Sequence, residues 1–292
     1  MSKEIRLKKG LNINLSGDAD KIFASIKASN KSLRYVVKPT DFHSLKPKLF
    51  VKVGDKVKAG SVLFFDKSDD RIKFCSPVSG EVIEINRGEK RKILEVVLIA
   101  DSDISYEKFQ TASANDLSRE QIIDAMLKGG VWPFIRQRPY DIIANPSDLP
   151  KSIFISAFNS TPLSIDNDFA LYGMDDLFQQ GIDIISKLTN GKLHLNIDGN
   201  TNLAKIFSNT KRVQKNIFSG PHPAGNVGVQ IHHLDPINKG DIVWYLTPQD
   251  VVAIARFFRD AKYDASRIIA LTGSRVKKAR YYRITQGMSI SN

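Results

Sequence analysis

Residues 51–65, VKVGDKVKAGSVLFF, followed by residues 76–85, SPVSGEVIEI, decide how the first third of the chain folds. Apolar residues come in short alternating runs, Leu49-Phe50-Val51, Val62-Leu63-Phe64-Phe65 and Val82-Ile83-Glu84-Ile85, and a turn signal separates each run from the next. Strands at intervals of about 8–12 residues with turns between them predict a small all-β unit, here over residues 30–100. Gly54-Asp55 supplies a tight turn. Pro77 stops a strand, and Gly80 reverses the chain.

Beyond this unit the pattern changes. Ser118 followed by Gln121 is a capping box. Ile122, Ile123, Met126 and Leu127 then share one helical face, and Gly129-Gly130 ends the helix. Residues 152–158 form a nearly continuous apolar run, as a parallel strand buried on both faces requires. Helical spacing returns at Met174, Leu177, Phe178, Ile182 and Ile185, and strands are predicted at 193–197, 213–219 and 241–246. Thr247-Pro248-Gln249-Asp250 opens a further helix with a cap, a proline at its first position and an acid in its first turn. Strand and helix alternate, which predicts an α/β sandwich with a mostly parallel sheet. A last pair of strands, 267–271 and 281–285, has no closing element and is too small to bury a core alone. The chain is therefore expected to stop inside a further, incomplete domain.

Composition narrows the function classes. The 292 residues are 42% apolar and 25% charged, ordinary for a globular protein. No run approaches the roughly 18 apolar residues of a membrane helix, and residues 1–9 lack a signal-peptide core, so no export is expected. The single cysteine, Cys75, excludes an internal disulfide and a cluster held by the usual four or so thiolates. It lies in an apolar run and reads as a small buried hydrophobe. The net charge of +12 favours acidic partners. Lysine and arginine are spread along the chain with no RNA-binding aromatic signature, so a membrane face or a partner subunit ranks above nucleic acid.

Three motifs carry candidate chemistry. The 51–85 region resembles biotinyl and lipoyl carrier domains, which are barrel-sandwich hybrids. Asp66-Lys67-Ser68 falls where such a carrier displays its lysine, without the flanking residues of that motif. Gly129-Gly130 either bares backbone N–H groups for a phosphate or simply stops a helix. The bulky Val131 and Trp132 that follow favour the stop, and Arg136 and Arg138 beyond them suit the clamping of anionic or carbonyl groups, or equally the capping of backbone carbonyls or pairing with carboxylates. The densest stretch holds His222, His232 and His233, three of the five histidines, together with Asp235. These residues suit a metal by type, but their spacing matches no common zinc signature. Histidines held by hydrogen bonds in a proline-rich loop are the alternative. No serine or cysteine here has the elbow context of a nucleophile, so no catalytic residue is assigned. A histidine beside an aromatic such as Trp132 also suits the carbonyls of a quinone.

The strings GVWPFIRQRP (130–139), GPHPAG (220–225) and HHLDPINKGDIVW (232–244) resemble the NqrA component of the sodium-translocating NADH:quinone oxidoreductase, the Nqr complex. The resemblance runs over essentially the whole chain. It implies a barrel-sandwich hybrid with an N-terminal arm (1–105), a Rossmann-like α/β domain (106–262) and the start of a truncated β-grasp domain of the SLBB type (263–292). It further implies a peripheral subunit on the cytoplasmic face of the bacterial inner membrane, whose partners are the other, membrane-embedded subunits of a complex that oxidises NADH, reduces ubiquinone and exports sodium. Related flavin-binding subunits carry a glycine-rich loop near Gly129 and Gly130, and cysteine-bound clusters. With Val131-Trp132 and one cysteine here, no cofactor or metal is expected in this subunit, and NADH, flavins and the iron–sulfur centre are expected elsewhere in the complex. Trp132, Arg136, Arg138, His222, His232 and His233 are the candidate contacts to ubiquinone. A purely structural cap, or a biotin- or lipoate-type carrier modified at Lys67, are the alternatives.

Overall fold

A computed structural model describes residues 2–25, 34–112, 116–199 and 205–289. Residues 30–33, at the expected start of the β unit, and 290–292, at the expected open end of the chain, lie outside the described residues. The chain begins with strands β1 (Lys3–Arg6) and β2 (Asp20–Ala24), both of which pair far along the sequence.

Seven strands then build the β unit: β3 (Arg34–Val37), β4 (Pro47–Leu49), β5 (Lys56–Val57), β6 (Val62–Asp66), β7 (Asp69–Cys75), β8 (Gly80–Arg87) and β9 (Ile93–Ala100). They form two facing sheets, ordered β3-β9-β8-β5 and β4-β6-β7. The expected turn is present. Gly54 takes a φ of +91°, and the Asp55 carboxylate accepts the Lys52 N–H at 2.9 Å. Between the sheets Leu63, Phe64, Val82, Val96 and Leu98 are buried, and Phe64 stacks on Phe74 with ring centroids 4.8 Å apart.

Helix α1 (Arg119–Lys128) has both halves of its capping box, Ser118 and Gln121 each accepting the other's backbone N–H. It ends as a Schellman motif, with the Gly130 N–H on the Leu127 carbonyl and the Val131 N–H on that of Met126. There follow β10 (Arg136–Arg138), β11 (Ile142–Ile143), β12 (Ser152–Ser156), α2 (Asn167–Ala170), α3 (Asp175–Ser186), β13 (Lys192–Asp198), α4 (Lys205–Ser208), β14 (Gln214–Ser219), α5 (Val227–Leu234), β15 (Val243–Leu246) and α6 (Pro248–Asp260). These strands form a sheet ordered β1-β14-β13-β12-β15-β10-β11. Its first five strands are parallel, and β10 and β11 extend it antiparallel. The chain leaves β12 in one direction and returns to its other side as β15, the strand order of a Rossmann half. The middle of strand β12, Ile153, Phe154 and Ile155, is apolar because both its faces are covered. Ile153 and Ile155 join the core that includes Phe178, Ile182 and Ile254, while Phe154 packs with Ile231 of α5.

The last strands, β16 (Ser266–Leu271) and β17 (Arg280–Thr285), form an antiparallel pair. The third strand of their sheet is β2, parallel to β17. The N-terminal arm, grouped with the β unit by sequence, thus pairs with the α/β sheet through β1 and with the C-terminal hairpin through β2. One buried cluster also runs without a break from the β unit, through Phe74 and Cys75, to Met126, Trp132 and Phe257 of the α/β unit.

Candidate functional site

Where the three units meet, a cavity of about 640 Å³ opens at the carboxyl end of β15. The β unit contributes Val36, Lys38, Phe42 and Phe74, the α/β unit Phe134, Arg136 and Thr247, and the C-terminal strands Arg267 and Ile284. Arg136 lies opposite Tyr245 across the β10–β15 pair. Its Nη2 donates to the Asp141 carbonyl at 2.7 Å, and its Nε stands 3.7 Å from the Asp141 carboxylate with no hydrogen-bond partner. The Tyr245 hydroxyl donates to the same carboxylate. Burial first, and this bond second, push the phenol up to about 12, so it is a neutral donor.

Arg267 is the other guanidinium of the cavity. Its Nη2 donates to Asp250 Oδ1 at 2.7 Å, its plane lies over Phe134 with 4.6 Å to the ring centroid, and its Nη1 is buried without a partner. Asp250 is held by the helix it starts, since its Oδ2 accepts the Thr247 N–H at 3.0 Å and the Thr247 hydroxyl at 2.6 Å.

The residues singled out by sequence are scattered. Trp132 is fully buried, with its Nε1–H on the Ala144 carbonyl at 2.7 Å and its ring edge-on to Trp244. Arg136 lines the cavity. Arg138, one pleat along, stacks over Tyr245 at 5.1 Å and is absent from the cavity wall. His222 follows β14 at the carboxyl edge of the sheet, where its Nδ1 is 3.1 Å from the Ser160 hydroxyl and its N–H donates to Asn12. His232 and His233 are exposed in the last turn of α5. That helix runs back to the opposite edge, where the next residue but one, Asp235, meets Ser152 and Lys151 at the start of β12. The three histidines therefore do not converge, and among the described residues no group of three His, Cys, Asp or Glu is placed to hold a metal ion.

The space at the two glycines is occupied by neighbours. A Cβ on Gly129 would lie 2.2 Å from the Phe257 ring, and one on Gly130 would lie 2.3 Å from the Cys75 sulfur. Burial pushes the Cys75 thiol up to about 12, consistent with an inert core residue. Lys67 stands exposed at the tip of the β6–β7 hairpin, its backbone N–H on the Lys46 carbonyl. Sequence reasoning missed Arg267, Asp250 and Tyr245. An arginine inside the apolar run of β16 was the available signal for the first.

A second polar feature lies beneath α5. Asn216 Nδ2 reaches the His194 Nδ1 and donates to Asn196, and Asn196 in turn donates to Gln230, all four residues being buried. Burial holds the His194 imidazole down at about 4, against an ordinary value near 6.5. The unfolded chain therefore takes up a proton that the folded chain refuses, and stability falls as pH drops from about 6.5 to 4. We expect urea unfolding to show about 3 kcal/mol lost over that window through this group, and His194→Gln to remove that part of the pH dependence. An unchanged pH slope in the variant would place the titration elsewhere.

A barrel-sandwich β unit fused to a Rossmann-type sheet, with an arginine-lined cavity at the junction, defines a modular class of α/β protein with a small β domain. The family model described as the NqrA N-terminal barrel-sandwich hybrid domain matches residues 5–101, and that of the NqrA second alpha/beta domain matches residues 117–263. The chain belongs to the NqrA family. It is 35% identical over 98% of its length to the NqrA protein of the Na(+)-translocating NADH-quinone reductase of Marinomonas sp. (strain MWYL1), covering 63% of that protein. Against the corresponding protein of Alcanivorax borkumensis it is 32% identical over 99% of its length, covering 64% of the relative. The chain thus spans just under two thirds of these relatives. A chain of NAD+-reducing NiFe-hydrogenase in the air-oxidised state aligns with TM-score 0.41 and 13% identity, over 60% of this chain and 38% of that one, a likeness too slight to carry an argument.

Proposed function

We propose that this chain serves as the NqrA component of a sodium-translocating NADH–quinone reductase, a peripheral subunit on the cytoplasmic face of the inner membrane. The observation that carries this reading is the succession of both NqrA domain families along one chain, in register with relatives of that complex. Among the described residues no helix is long and apolar enough to cross a membrane, which supports a peripheral place. NADH, flavins and the iron–sulfur centre then belong to other subunits, and this chain docks on the membrane-embedded ones with no cofactor of its own. We assign residues 1–105, 106–262 and 263–292 to the barrel-sandwich, Rossmann-like and SLBB-type units, the arm of the first serving the other two.

A quinone-side role rests on the junction cavity. Of the six candidate contacts to ubiquinone, Arg136 lines it, and Arg138 and Trp132 lie in or beside its supporting strand. His222, His232 and His233 are proposed contacts only where a partner subunit covers their two edges of the sheet. The test is to express the tagged chain with the remaining Nqr subunits in cells that lack their own NqrA. The membrane subunits should co-purify with it and support sodium-stimulated quinone reduction by NADH. A chain recovered alone overturns the reading. Photo-labelling of the free chain by a ubiquinone analogue supports the quinone-side role, and labelling only after assembly replaces it with that of a structural cap.

A further inference from the structure

The N-terminal arm is held at two places and bare between them. At its start the Leu7 N–H donates to the Ser219 carbonyl at 2.9 Å and the Leu11 N–H to that of His222 at 3.0 Å, so residues 7–11 follow the carboxyl end of β14. At its end the Gly17 carbonyl accepts the Gly273 N–H at 2.8 Å, and the Asp20 N–H donates to the Ala279 carbonyl at 2.9 Å. Residues 17–20 therefore run beside the loop that joins β16 to β17. Between these anchors Leu11, Ile13 and Leu15 are 72%, 58% and 54% exposed. Large aliphatic side chains gathered in one segment, each more than half in water, are the kind of apolar surface that marks an interaction site. Cations flank it at both ends. Lys8 and Lys9 precede it, and Arg275, Lys277 and Lys278, on the loop beside Gly17, lie past its other end, all five exposed. Among the described residues none of the five forms an ion pair. The carboxylates of the same stretch, Asp18 and Asp20, are outnumbered by these cations.

We propose that the arm and the β16–β17 loop form a contact surface for an anionic lipid membrane. Leu11, Ile13 and Leu15 enter the boundary between headgroups and acyl chains, and the five cations meet the lipid phosphates. The composition favours lipid over an acidic protein. Protein–protein interfaces are enriched in aromatic residues and depleted of lysine. Here the three apolar side chains are aliphatic, and Arg275 alone of the five cations is not a lysine. Lysine stems are long enough to keep their charge at the headgroups while apolar neighbours sink below. Each basic residue near an anionic membrane surface strengthens binding by about fivefold. The surface rests on the reading of the chain as a peripheral subunit for the membrane at which it works.

Sedimentation of the purified full chain with lipid vesicles tests it. Vesicles of equal parts phosphatidylglycerol and phosphatidylcholine should carry the chain down, and vesicles of phosphatidylcholine alone should not. Lys277→Gln with Lys278→Gln should weaken binding by about tenfold or more. Leu11→Ser, Ile13→Ser and Leu15→Ser together should also weaken it by about tenfold or more, the share of a single buried aliphatic side chain. These side chains are exposed in the fold, so their replacement leaves the core intact. Lys90→Gln with Lys92→Gln, on the β8–β9 turn, removes the same charge elsewhere and should leave binding nearly unchanged. No binding to the anionic vesicles, an equal loss in the Lys90 and Lys92 variant, or binding that survives both surface variants overturns the proposal. A serine variant that binds vesicles normally but no longer co-purifies with the detergent-solubilised Nqr subunits also overturns it, and makes this face a protein-docking surface. A chain that joins those subunits yet ignores vesicles loses the lipid contact and keeps its place in the complex. One that binds vesicles through these residues yet is recovered alone keeps the contact and loses the place.

Discussion

Trp132→Ala is expected to destabilise the chain by about 3–5 kcal/mol, the range for removing a fully buried large aromatic side chain. The loss has three physical sources. The indole is completely enclosed, so its removal leaves a cavity in the core shared by the β and α/β units. Its edge-to-face contact with Trp244, at 5.5 Å between centroids, disappears. The Ala144 carbonyl loses the donor it meets at 2.7 Å inside the protein. Trp132→Phe should cost less, about 1–3 kcal/mol, because the ring contact survives and only the N–H and part of the volume are lost. Chemical denaturation of both variants at neutral pH checks the ranking. A Trp132→Phe protein of unaltered stability but altered quinone handling in the assembled complex would instead mark this side chain as a direct contact.

Gly130→Ala should follow closely, at about 2–4 kcal/mol. The residue holds a φ of +70°, where a side chain costs about 1–2 kcal/mol. The new methyl also has to displace the Cys75 sulfur, 2.3 Å away, in a close-packed region where overpacking costs about 1–3 kcal/mol. The second contribution is separable. Cys75→Ala removes the obstructing atom, so the Cys75→Ala, Gly130→Ala double variant should be more stable than the sum of the two single losses by about 1–2 kcal/mol. Strict additivity in that cycle would mean that the backbone conformation alone requires glycine here.

The parts of the fold that were legible in the sequence are those whose signals are local. Ser118 with Gln121, and Thr247 with Asp250, announce their helices because the capping groups lie within one turn of each other. The nearly continuous apolar run at 152–158 announces a strand covered on both faces. The arm was not legible in the same way. The segments KEIR and DKIFA are short and charged at several positions, and their partners, β14 and β17, lie most of the chain away. The candidate site divides along the same line. Arg136 was recognisable beside Arg138 in a polar strand. Arg267 was not, because Asp250 and Phe134, which define its position, come from two other elements. Density in sequence also misled at the histidines, since α5 carries His232 and His233 to the far edge of the sheet from His222.

The arm has a consequence for the order of events during synthesis. Strands β1 and β2 are translated before the β unit, yet the edges that receive them, on β14 and β17, are translated well after it. At about 5–20 residues per second, the arm waits roughly 10–50 s with its backbone unpaired. Leu11, Ile13 and Leu15, exposed even in the finished fold, are bare throughout that interval. Among the described residues the strands of the β unit all fall between residues 34 and 100, so their pairing does not wait for the later edges. During that interval the β unit is already paired within itself, while the arm beside it stays an unpaired, sticky thread.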